Sequence, residues 1–366
     1  MLIFDYVGSD ILSKCLQKWG FEILHIRGEQ ICIPVLLLTL FKKGKKTDAY
    51  LDYFIEKVSP KLLITFIDNN PTFYKLAARH PTFTSLSIQN GFKSYYFDIF
   101  ETWERSHLTT ACGRVNYMAT FGSRVGIEYS QYIDCKILPI GSLKNNFFIK
   151  KEGKIKRGIA FISQFRKCEG LHLGERYFSH EEYFQNPDRA VLNFLLKYAE
   201  ETAKDLYIVP CSDIQNRIAF QAERDYYYAL LGKNIPFSRE LGFGGGYLAI
   251  DGSEVVVSID SALGYESAAR GNKTALFTIR SHMLDIDGLS YGWPERYSDE
   301  GFCWSNLPNT VVFKKIMDNL FSISDDEYIA QLSATGFDEI MTYDPGNNLL
   351  KSILDKELGA TSTPMR

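Results

Sequence analysis

The chain alternates short apolar runs with polar segments, a pattern typical of repeated strand and helix units. Residues 62–67 and 84–88 are strand-length runs rich in apolar and β-branched residues, and a polar segment follows each one. Residues 206–209 and 255–257 repeat the arrangement in the second half. Strands that alternate with helices favour parallel sheets with helices on both faces. We therefore expect an α/β fold.

Other segments extend this pattern. Residues 49–58 have apolar side chains at helical spacing, and Pro60 ends that helix. The apolar run at residues 31–40 predicts a buried strand, and residues 181–204 predict a long helix. The glycine-rich residues 242–246 lack the preceding strand and following helix of a dinucleotide-binding fingerprint, so they predict a flexible loop.

Residues 255–277 are the most informative stretch of the sequence. A valine run predicts a strand, Gly264 is expected to open a helix, and Gly271 suits the left-handed position that ends one. Ser258 and Ser261 then lie where a strand's carboxyl end meets a helix's amino end, which suits a phosphate. An ordinary strand and helix unit would show the same pattern.

Glu266 favours a ligand site over that ordinary unit. It stands in a helix otherwise made of small residues, where its carboxylate could accept hydrogen bonds from two ribose hydroxyls. A glutamate in a first turn is also favourable for the helix dipole alone, so both interpretations stay open.

Length and composition indicate a folded protein of two domains. A chain of 366 residues exceeds one ordinary core, and 45% hydrophobic with 23% charged residues is typical of globular proteins. We place a first domain at residues 1–150, a second at 157–350 and a tail at 351–366, with the basic residues 150–157 as linker. A net charge of -3 and a pI near 6.1 argue against nucleic acid as a partner.

The cysteines and the apolar runs indicate where in the cell the protein is expected. The seven cysteines include no CxxC pair, which argues against a zinc site and a disulfide framework and predicts a cytoplasmic protein. Residues 1–10 lack the basic start of a signal peptide. The apolar run 31–41 is too short to span a bilayer, but the lysines after it allow peripheral association with the inner face of the cytoplasmic membrane. A solvated loop is the alternative.

Polar side chains follow the predicted strands of both halves. They are Asp68, Asn69, Asn70, Gln89 and Asn90 in the first half, and Ser163, Gln164, Arg166 and Asp213 in the second. Because parallel strands end at one edge of a sheet, these side chains predict a site in each half. Two such halves match the plan of a GT-B glycosyltransferase, in which two Rossmann-type domains face a central cleft, and related epimerases share that plan.

Several segments carry a family resemblance: PKLLITFIDNN, SIQNG, the PIGS run and above all SIDSALGYESAARGNKTALF. They resemble a bacterial family of surface-carbohydrate biosynthesis proteins for capsule and lipopolysaccharide, and more distantly the retaining β-Kdo transferases, which are GT-B enzymes. The resemblance implies a glycosyltransferase without cofactor that takes a sugar from a nucleotide donor, with CMP-Kdo or a related CMP-ulosonic acid as the first expectation. The acceptor would be a glycan or a lipid-linked glycan.

The resemblance also implies roles for the polar residues. The second domain would bind the donor, and its residues for this are Ser163, Gln164, Arg166, Ser258, Asp260, Ser261, Gly264, Tyr265 and Glu266. In the first domain Asn69, Asn70, Gln89 and Asn90 would orient groups or bind the acceptor. Asp68 is the first choice of catalytic carboxylate, although an aspartate that caps the following helix would look the same. Asp213 is a second choice and Asp260 a third, since retaining double displacement needs two carboxylates.

Three alternatives remain at this point. The pair Asp285 and Asp287 mimics the metal-binding DxD of another glycosyltransferase fold, but its place after the helix and strand unit predicts a surface turn and no required metal. An epimerase acting on a UDP-N-acetylhexosamine would need no acceptor groove. A non-catalytic assembly protein could keep the fold as a binding module.

Overall fold

The computed structural model describes residues 1–41, 45–94, 99–151, 156–238, 240, 242 and 244–359. The described residues form two compact units. The first contains residues 1–93, 99–147 and 344–359, and the second contains residues 94 and 148–343. The fold is α/β, with a parallel sheet in each unit, as the sequence predicts.

The first unit is built on a six-stranded sheet in the order β2-β1-β3-β4-β5-β6, in which all neighbours are parallel. Its strands are β1 (Leu2–Phe4), β2 (Glu22–Leu24), β3 (Leu62–Thr65), β4 (Thr84–Ile88), β5 (Arg114–Thr120) and β6 (Asp134–Pro139). Its helices are α1 (Ser9–Cys15), α2 (Ile33–Thr39), α3 (Lys46–Val58), α4 (Pro71–Arg79), α5 (Phe100–Arg105), α6 (Ser123–Tyr132) and α7 (Leu143–Phe147), with the last helix of the chain.

Apolar strands and one returning helix form the core of this unit. All four residues of β3 are buried, which explains why LLIT reads as a strand without alternation. The last helix, Asn348–Leu358, buries Leu350 and Leu354 in the same cluster as Ile64 and Leu86. Apolar burial of this kind is the main stabilising term of the fold.

The second unit has a four-stranded parallel sheet in the order β10-β7-β11-β12 and a separate hairpin. The strands are β7 (Ile159–Ile162), β8 (Gly170–Leu173), β9 (Arg176–Ser179), β10 (Leu206–Val209), β11 (Val255–Ser258) and β12 (Thr274–Leu276). A π-helical turn at Glu181–Gln185 leads into α8 (Asn186–Thr202). The other helices are α9 (Arg217–Leu231), α10 (Gly245–Asp251), α11 (Ala262–Ala269), α12 (Arg280–Leu284), α13 (Thr310–Ser322), α14 (Asp325–Ala334) and α15 (Phe337–Ile340), and α16 is the helix Asn348–Leu358 of the first unit.

The strand predicted at residues 31–40 is wrong. This segment forms the helix α2, in which Val35 and Thr39 are buried and most other side chains are exposed. Pro34 lies in its first turn, where a missing N–H costs nothing and the fixed φ favours helix. A short apolar run has no periodicity that separates strand from helix, so the sequence could not decide between them.

Two boundaries in the second half also differ from the prediction. Gly245 and Gly246 begin helix α10 and are not a loop. Helix α11 starts at Ala262 rather than Gly264, because Ser261 caps it by accepting a hydrogen bond from the backbone N–H of Leu263. Gly271 follows the helix with a φ of 74°, in the left-handed region, as predicted.

The structure describes only the two ends of the linker predicted at residues 150–157, since residues 152–155 are outside the described ranges. The chain passes from the first unit to the second between Phe147 and Phe148. No helix in the described part of the chain is long and apolar enough to cross a bilayer.

Candidate functional site

The strand order of the second sheet contains a topological switch point. From β7 the chain goes to β10 on one side and later to β11 and β12 on the other. Ligands of open α/β sheets bind beyond the carboxyl ends of the strands at such a point. Ser163 and Gln164 follow β7, and Ser258, the last residue of β11, leads into Ile259 to Ser261. The structure thus brings together two segments that the sequence analysis had assigned to the donor.

The turn after β11 is tight and internally bonded. The Ser258 hydroxyl accepts a hydrogen bond from the backbone N–H of Ser261 at 3.2 Å, and the Ser261 hydroxyl caps α11. Gly264 lies against this strand so closely that a Cβ there would come within 2.4 Å of Ser258 Cβ and Oγ. The absence of a side chain therefore lets the helix pack its first turn onto the strand end.

We expect Gly264→Ala to lower the free energy of unfolding by about 1–3 kcal/mol, because the added methyl forces the helix away from Ser258. Gly252→Ala is the matched control, since its Cβ would make only ordinary contacts at 3.4 Å or more. Its expected change is within about 0.5 kcal/mol. Urea unfolding of both variants measures the difference, and equal stabilities would show that the approach of α11 to β11 is not tight.

Glu266 is buried and held by a hydroxyl from the neighbouring helix. The Tyr247 hydroxyl donates to Glu266 Oε2 at 2.8 Å. Tyr247 belongs to α10 and stacks on Phe148, with ring centroids 5.0 Å apart. Gly244, just before α10, has φ 98°, and a Cβ there would meet the Phe148 ring at 2.4 Å. The glycine-rich segment therefore allows the approach that orients the Glu266 carboxylate.

A buried ion pair fixes the helix that carries Glu266. The Arg270 guanidinium donates to both carboxylate oxygens of Asp251, at 3.0 and 2.6 Å, and Asn272 donates to the same carboxylate at 3.0 Å. Both charged side chains are buried. Bidentate geometry of this kind defines one relative position, so it locks the end of α11 to the end of α10.

Arg280 forms the centre of the switch point, and the sequence analysis did not single it out. It is 1% exposed and donates through Nη1 to Gln164 Oε1 at 2.7 Å and to Asp260 Oδ1. Its Nε donates to the carbonyl of Tyr183 at 2.7 Å. Gln164 follows β7 and Asp260 follows β11, so one buried guanidinium joins the two strand ends.

Asp188 adds a fully buried carboxylate to this cluster, beside the partly buried Asp260. Its Oδ1 lies 3.9 Å from Arg280 Nη2, and its Oδ2 accepts from the hydroxyls of Tyr226 at 2.9 Å and Tyr227 at 3.4 Å. Burial raises the pKa of Asp188 to about 6. The Arg280 charge opposes this shift but does not cancel it.

Three buried atoms of the cluster have no hydrogen-bond partner among the described residues. They are Asp188 Oδ1, Asp260 Oδ2 and Arg280 Nη2. Buried polar atoms nearly always find a partner, so a polar ligand group or water is expected beside them. With two carboxylates to one guanidinium, the cluster is suited to hydroxyl groups that donate hydrogen bonds rather than to a phosphate.

The pKa of Asp188 predicts a pH effect on stability. Folding raises it from an ordinary 3.8 to about 6, so the folded chain binds this proton more tightly, and the stabilisation is present at low pH and lost as pH rises. When the pH rises from about 4 to about 7, we expect the free energy of unfolding of Asp188→Asn to increase by roughly 2–3 kcal/mol relative to that of the natural chain. Urea unfolding at both pH values tests this, and a difference independent of pH would contradict it.

Of the other residues predicted in this unit, Tyr265 serves the core, Arg166 and Asp213 are exposed, and Ser163 contacts the cluster through Tyr227. Tyr265 is buried with its ring between Tyr291 and Phe337, at centroid distances of 6.2 and 6.3 Å. Arg166 is exposed in the segment after β7. Asp213, the second choice of catalytic carboxylate, is also exposed, and its Oδ1 accepts from the N–H of Gln215 within its own turn. Ser163 is buried and accepts from the Tyr227 hydroxyl at 2.9 Å.

In the first unit, Asp68 is fully buried after β3. It accepts a hydrogen bond from the Tyr129 hydroxyl at 2.5 Å, and Lys93 Nζ lies 3.3 Å from its Oδ1. Lys93, also buried, donates to Asn90 Oδ1 at 3.1 Å. The structure thus groups Asp68 and Asn90 around a lysine that the sequence analysis missed. In this arrangement the carboxylate contacts helix α6 and the segment after β4, and its catalytic role stays a prediction.

The remaining amides of the first unit have local roles. The side-chain oxygen Oδ1 of Asn70 caps α4 by accepting a hydrogen bond from the backbone N–H of Thr72 at 3.0 Å. Gln89 accepts from the N–H of Phe121 and donates to the carbonyl of Gly91, both at 2.8 Å, so it ties the ends of β4 and β5. Asn69 is exposed. The capping role that the sequence analysis weighed for Asp68 therefore belongs to Asn70, two residues later.

The acidic pair after α12 lies on a turn. Asp285 has a left-handed φ of 55°, and Asp287 is exposed and pairs with Arg296. Within the described ranges, no three His, Cys, Asp or Glu side chains converge in a group that could hold a metal ion.

Residues 86–358 match the model of a protein family described as "putative O-antigen biosynthesis protein". This match covers about three quarters of the chain. The chain belongs to this O-antigen biosynthesis family. Surface-polysaccharide biosynthesis, which the resemblance in the sequence implied, is therefore confirmed as its setting. No curated protein sequence matches the chain significantly.

Solved structures with the same fold include both glycosyltransferases and epimerases. The wall teichoic acid polymerase TagF aligns with a TM-score of 0.53 at 11% identity, over 98% of this chain and 89% of that one. UDP-GlcNAc 2-epimerase from Neisseria meningitidis, bound to UDP-GlcNAc, gives 0.52 at 11%, over 97% and 91%. A glycosyltransferase from Rickettsia africae gives 0.50 at 13%, over 98% and 90%. The predicted GT-B-like fold is thus confirmed for this member of the O-antigen family.

Proposed function

We propose that this O-antigen family member is a glycosyltransferase that moves a sugar from a nucleotide donor to a glycan acceptor, with the donor bound by the second unit. The observation that carries the proposal is the arrangement at the switch point, where the capped turn at Ser258 and Ser261 leads into the helix that carries Glu266. A helix amino end beside serine hydroxyls suits a phosphate, and a buried carboxylate suits ribose hydroxyls.

The cluster around Arg280 supports recognition of the sugar. Its carboxylates, Asp188 and Asp260, each have an oxygen with no hydrogen-bond partner in the described structure, and such oxygens accept from sugar hydroxyls. Asp260 therefore has a binding role in this proposal. Asp68 stays the first choice of catalytic carboxylate and Asp213 the second.

For the donor we propose a CMP-ulosonic acid, CMP-Kdo first. Support comes from the resemblance of the 258–277 segment to a surface-carbohydrate biosynthesis family that is itself, more distantly, similar to the β-Kdo transferases. The proposed reaction needs neither metal nor cofactor, since a retaining transfer by two carboxylates supplies nucleophile and acid or base from side chains.

The test is a panel of donors in thermal unfolding. CMP-Kdo at about 100 times its dissociation constant should stabilise the folded chain by about 2.7 kcal/mol, which raises the melting temperature, while UDP and GDP sugars should leave it unchanged. A larger shift with UDP-GlcNAc would overturn the choice of donor. No shift with any nucleotide sugar would favour a non-catalytic assembly protein.

An epimerase of UDP-N-acetylhexosamine is the second candidate, because an epimerase bound to UDP-GlcNAc shares the fold. The two functions separate in an incubation with UDP-GlcNAc alone. A transferase leaves the sugar unisomerised, whereas an epimerase exchanges its C2 configuration, which proton NMR detects.

We further propose that the protein works at the inner face of the cytoplasmic membrane, on a lipid-linked glycan. All seven cysteines are free thiols, which suits a reducing compartment. Fractionation of cells should place the chain with the membrane at low salt and release it at high salt, because a peripheral contact through lysines is screened by ions.

A further inference from the structure

Helix α2 and the residue pair after it form an exposed apolar surface on the first unit. We define the α2 surface by its six large apolar side chains, which are Ile33, Leu36, Leu37, Leu38, Leu40 and Phe41. Phe41 is 88% exposed, Leu40 61% and Ile33 59%. Scattered apolar residues are normal on protein surfaces, but a contiguous patch of this kind marks an interaction site.

The way α2 is attached shows that this surface is not a loosely packed part of the core. Val35 and Thr39, one turn apart, are buried and form the attached side of the helix. The Thr39 hydroxyl donates to the carbonyl of Leu36 at 2.6 Å. The other sides carry leucine where a surface helix normally carries charge, and a helix apolar all round requires a second apolar environment.

Positive charge lies at one end of the α2 surface. The sequence continues with Lys42, Lys43, Lys45 and Lys46, and no acidic residue occurs between Glu29 and Asp48. Lys45 is exposed, and Lys46 Nζ donates to the carbonyls of Thr39 and Leu40 at 3.1 and 3.2 Å, at the carboxyl end of the helix. An apolar helix beside a lysine cluster matches the two layers of an anionic bilayer surface, acyl chains below and phosphate head groups above.

We propose that the α2 surface docks this protein onto an anionic phospholipid membrane, with the leucines and Phe41 in the acyl boundary and the lysines at the head groups. This proposal deepens the membrane location given under the proposed function by naming the surface and the lipid charge. It depends on the α2 surface and the lysines after it, so it stands whichever nucleotide sugar the second unit binds. It favours lipid over a protein partner because the lysines follow the apolar residues directly, as in polybasic membrane anchors.

Vesicle flotation tests the docking. The full chain is mixed with vesicles of phosphatidylglycerol and phosphatidylethanolamine, or of phosphatidylcholine alone. We expect binding to the anionic vesicles only, at least tenfold weaker at about 0.5 M salt, where the Debye length falls to a few ångströms. The variant Leu37→Glu/Phe41→Glu should lose at least tenfold in binding, and Lys42→Glu/Lys43→Glu should lose binding to a similar degree.

Matched controls lie on the second unit. Ile218→Glu and Val311→Glu change side chains that are 84% and 77% exposed, and Lys315→Glu reverses an exposed charge. These variants should bind vesicles as the natural chain does. Because Leu37, Phe41 and the three control side chains are exposed, far-ultraviolet circular dichroism should show these variants folded.

Three results would overturn the proposal. The first is that the Leu37→Glu/Phe41→Glu variant binds anionic vesicles as well as the natural chain does. The second is that the natural chain does not bind anionic vesicles. The third is that the chain does not bind vesicles but forms a concentration-dependent dimer, which Phe41→Glu abolishes. The last result would assign the surface to a second copy of the chain. Donor binding by thermal unfolding is measured on the same variants. It should be unchanged by the α2 substitutions, so a failed donor panel with intact vesicle binding would count against the proposed function alone.

Discussion

Glu266→Gln will reduce kcat/KM for the nucleotide sugar by about 100-fold. The substitution keeps the shape of the side chain and removes its charge, so it weakens the hydrogen bonds that we propose with the ribose hydroxyls. Hydrogen bonds to a charged partner contribute about 1.5–3 kcal/mol each, and about 1.4 kcal/mol corresponds to a tenfold change in rate. Steady-state kinetics with the donor that stabilises the chain measures this directly.

Two further variants separate a binding role of Glu266 from a structural one. Tyr247→Phe removes the hydroxyl that donates to Glu266 and should cost about tenfold in KM with little change in kcat, since it loosens the carboxylate without removing it. Glu200→Gln, an exposed carboxylate of α8, should leave the kinetics unchanged. If Glu266→Gln is fully active with a normal melting temperature, the carboxylate does not bind the donor.

Arg280→Met is expected to have the largest effect on stability. It leaves the buried Asp188 and the partly buried Asp260 beside a neutral side chain, and removing one partner of a buried ion pair typically costs about 3–5 kcal/mol. Lys197→Ala is the matched control. It breaks an exposed pair with Glu201 at 3.8 Å and should cost at most about 0.5 kcal/mol. Urea unfolding measures both.

A double-variant cycle shows whether the loss comes from the buried charges. Adding Asp188→Asn to Arg280→Met removes one of the two unpaired carboxylates, so we expect it to recover about 1–3 kcal/mol. If the double variant is as unstable as the sum of the two single variants, Arg280 acts through packing over the Tyr183 ring, where its guanidinium lies 4.8 Å from the centroid.

The strands were predictable because their burial is visible in the sequence. β3, β4, β10 and β11 are short runs with branched and apolar residues bounded by polar ones, and the predicted positions agree with the structure. Helix α2 was not predictable, because its leucines face solvent and give the same apolar run as a buried strand. The difference depends on what covers the segment, which local sequence does not specify.

The site was predictable to the extent that it follows from strand ends. Ser163, Gln164, Ser258, Asp260 and Ser261 meet at the switch point because parallel strands end on one edge of a sheet. Arg280 and Asp188 were missed because they come from helices that start after other strands, and an arginine in a short segment gives no signal that it is buried. Arginine directly after the buried residues Thr278 and Ile279 was the one available hint.

Contacts between residues on different elements could not be predicted from the sequence for the same reason. Tyr247 reaches Glu266 only because α10 begins at the glycines that were interpreted as a loop. Lys93, which follows β4, contacts Asp68, which follows the neighbouring strand β3. Such contacts depend on the relative position of elements, and a single sequence contains no record of that position.

The most direct test of the donor site in the second unit is a crystal structure of the chain with a cytidine nucleotide. We predict the phosphate at the amino end of α11 beside Ser261, and the ribose hydroxyls within hydrogen-bond distance of the Glu266 carboxylate. A nucleotide bound in the first unit beside Asp68, or in the second unit away from Glu266, would contradict this assignment of the site.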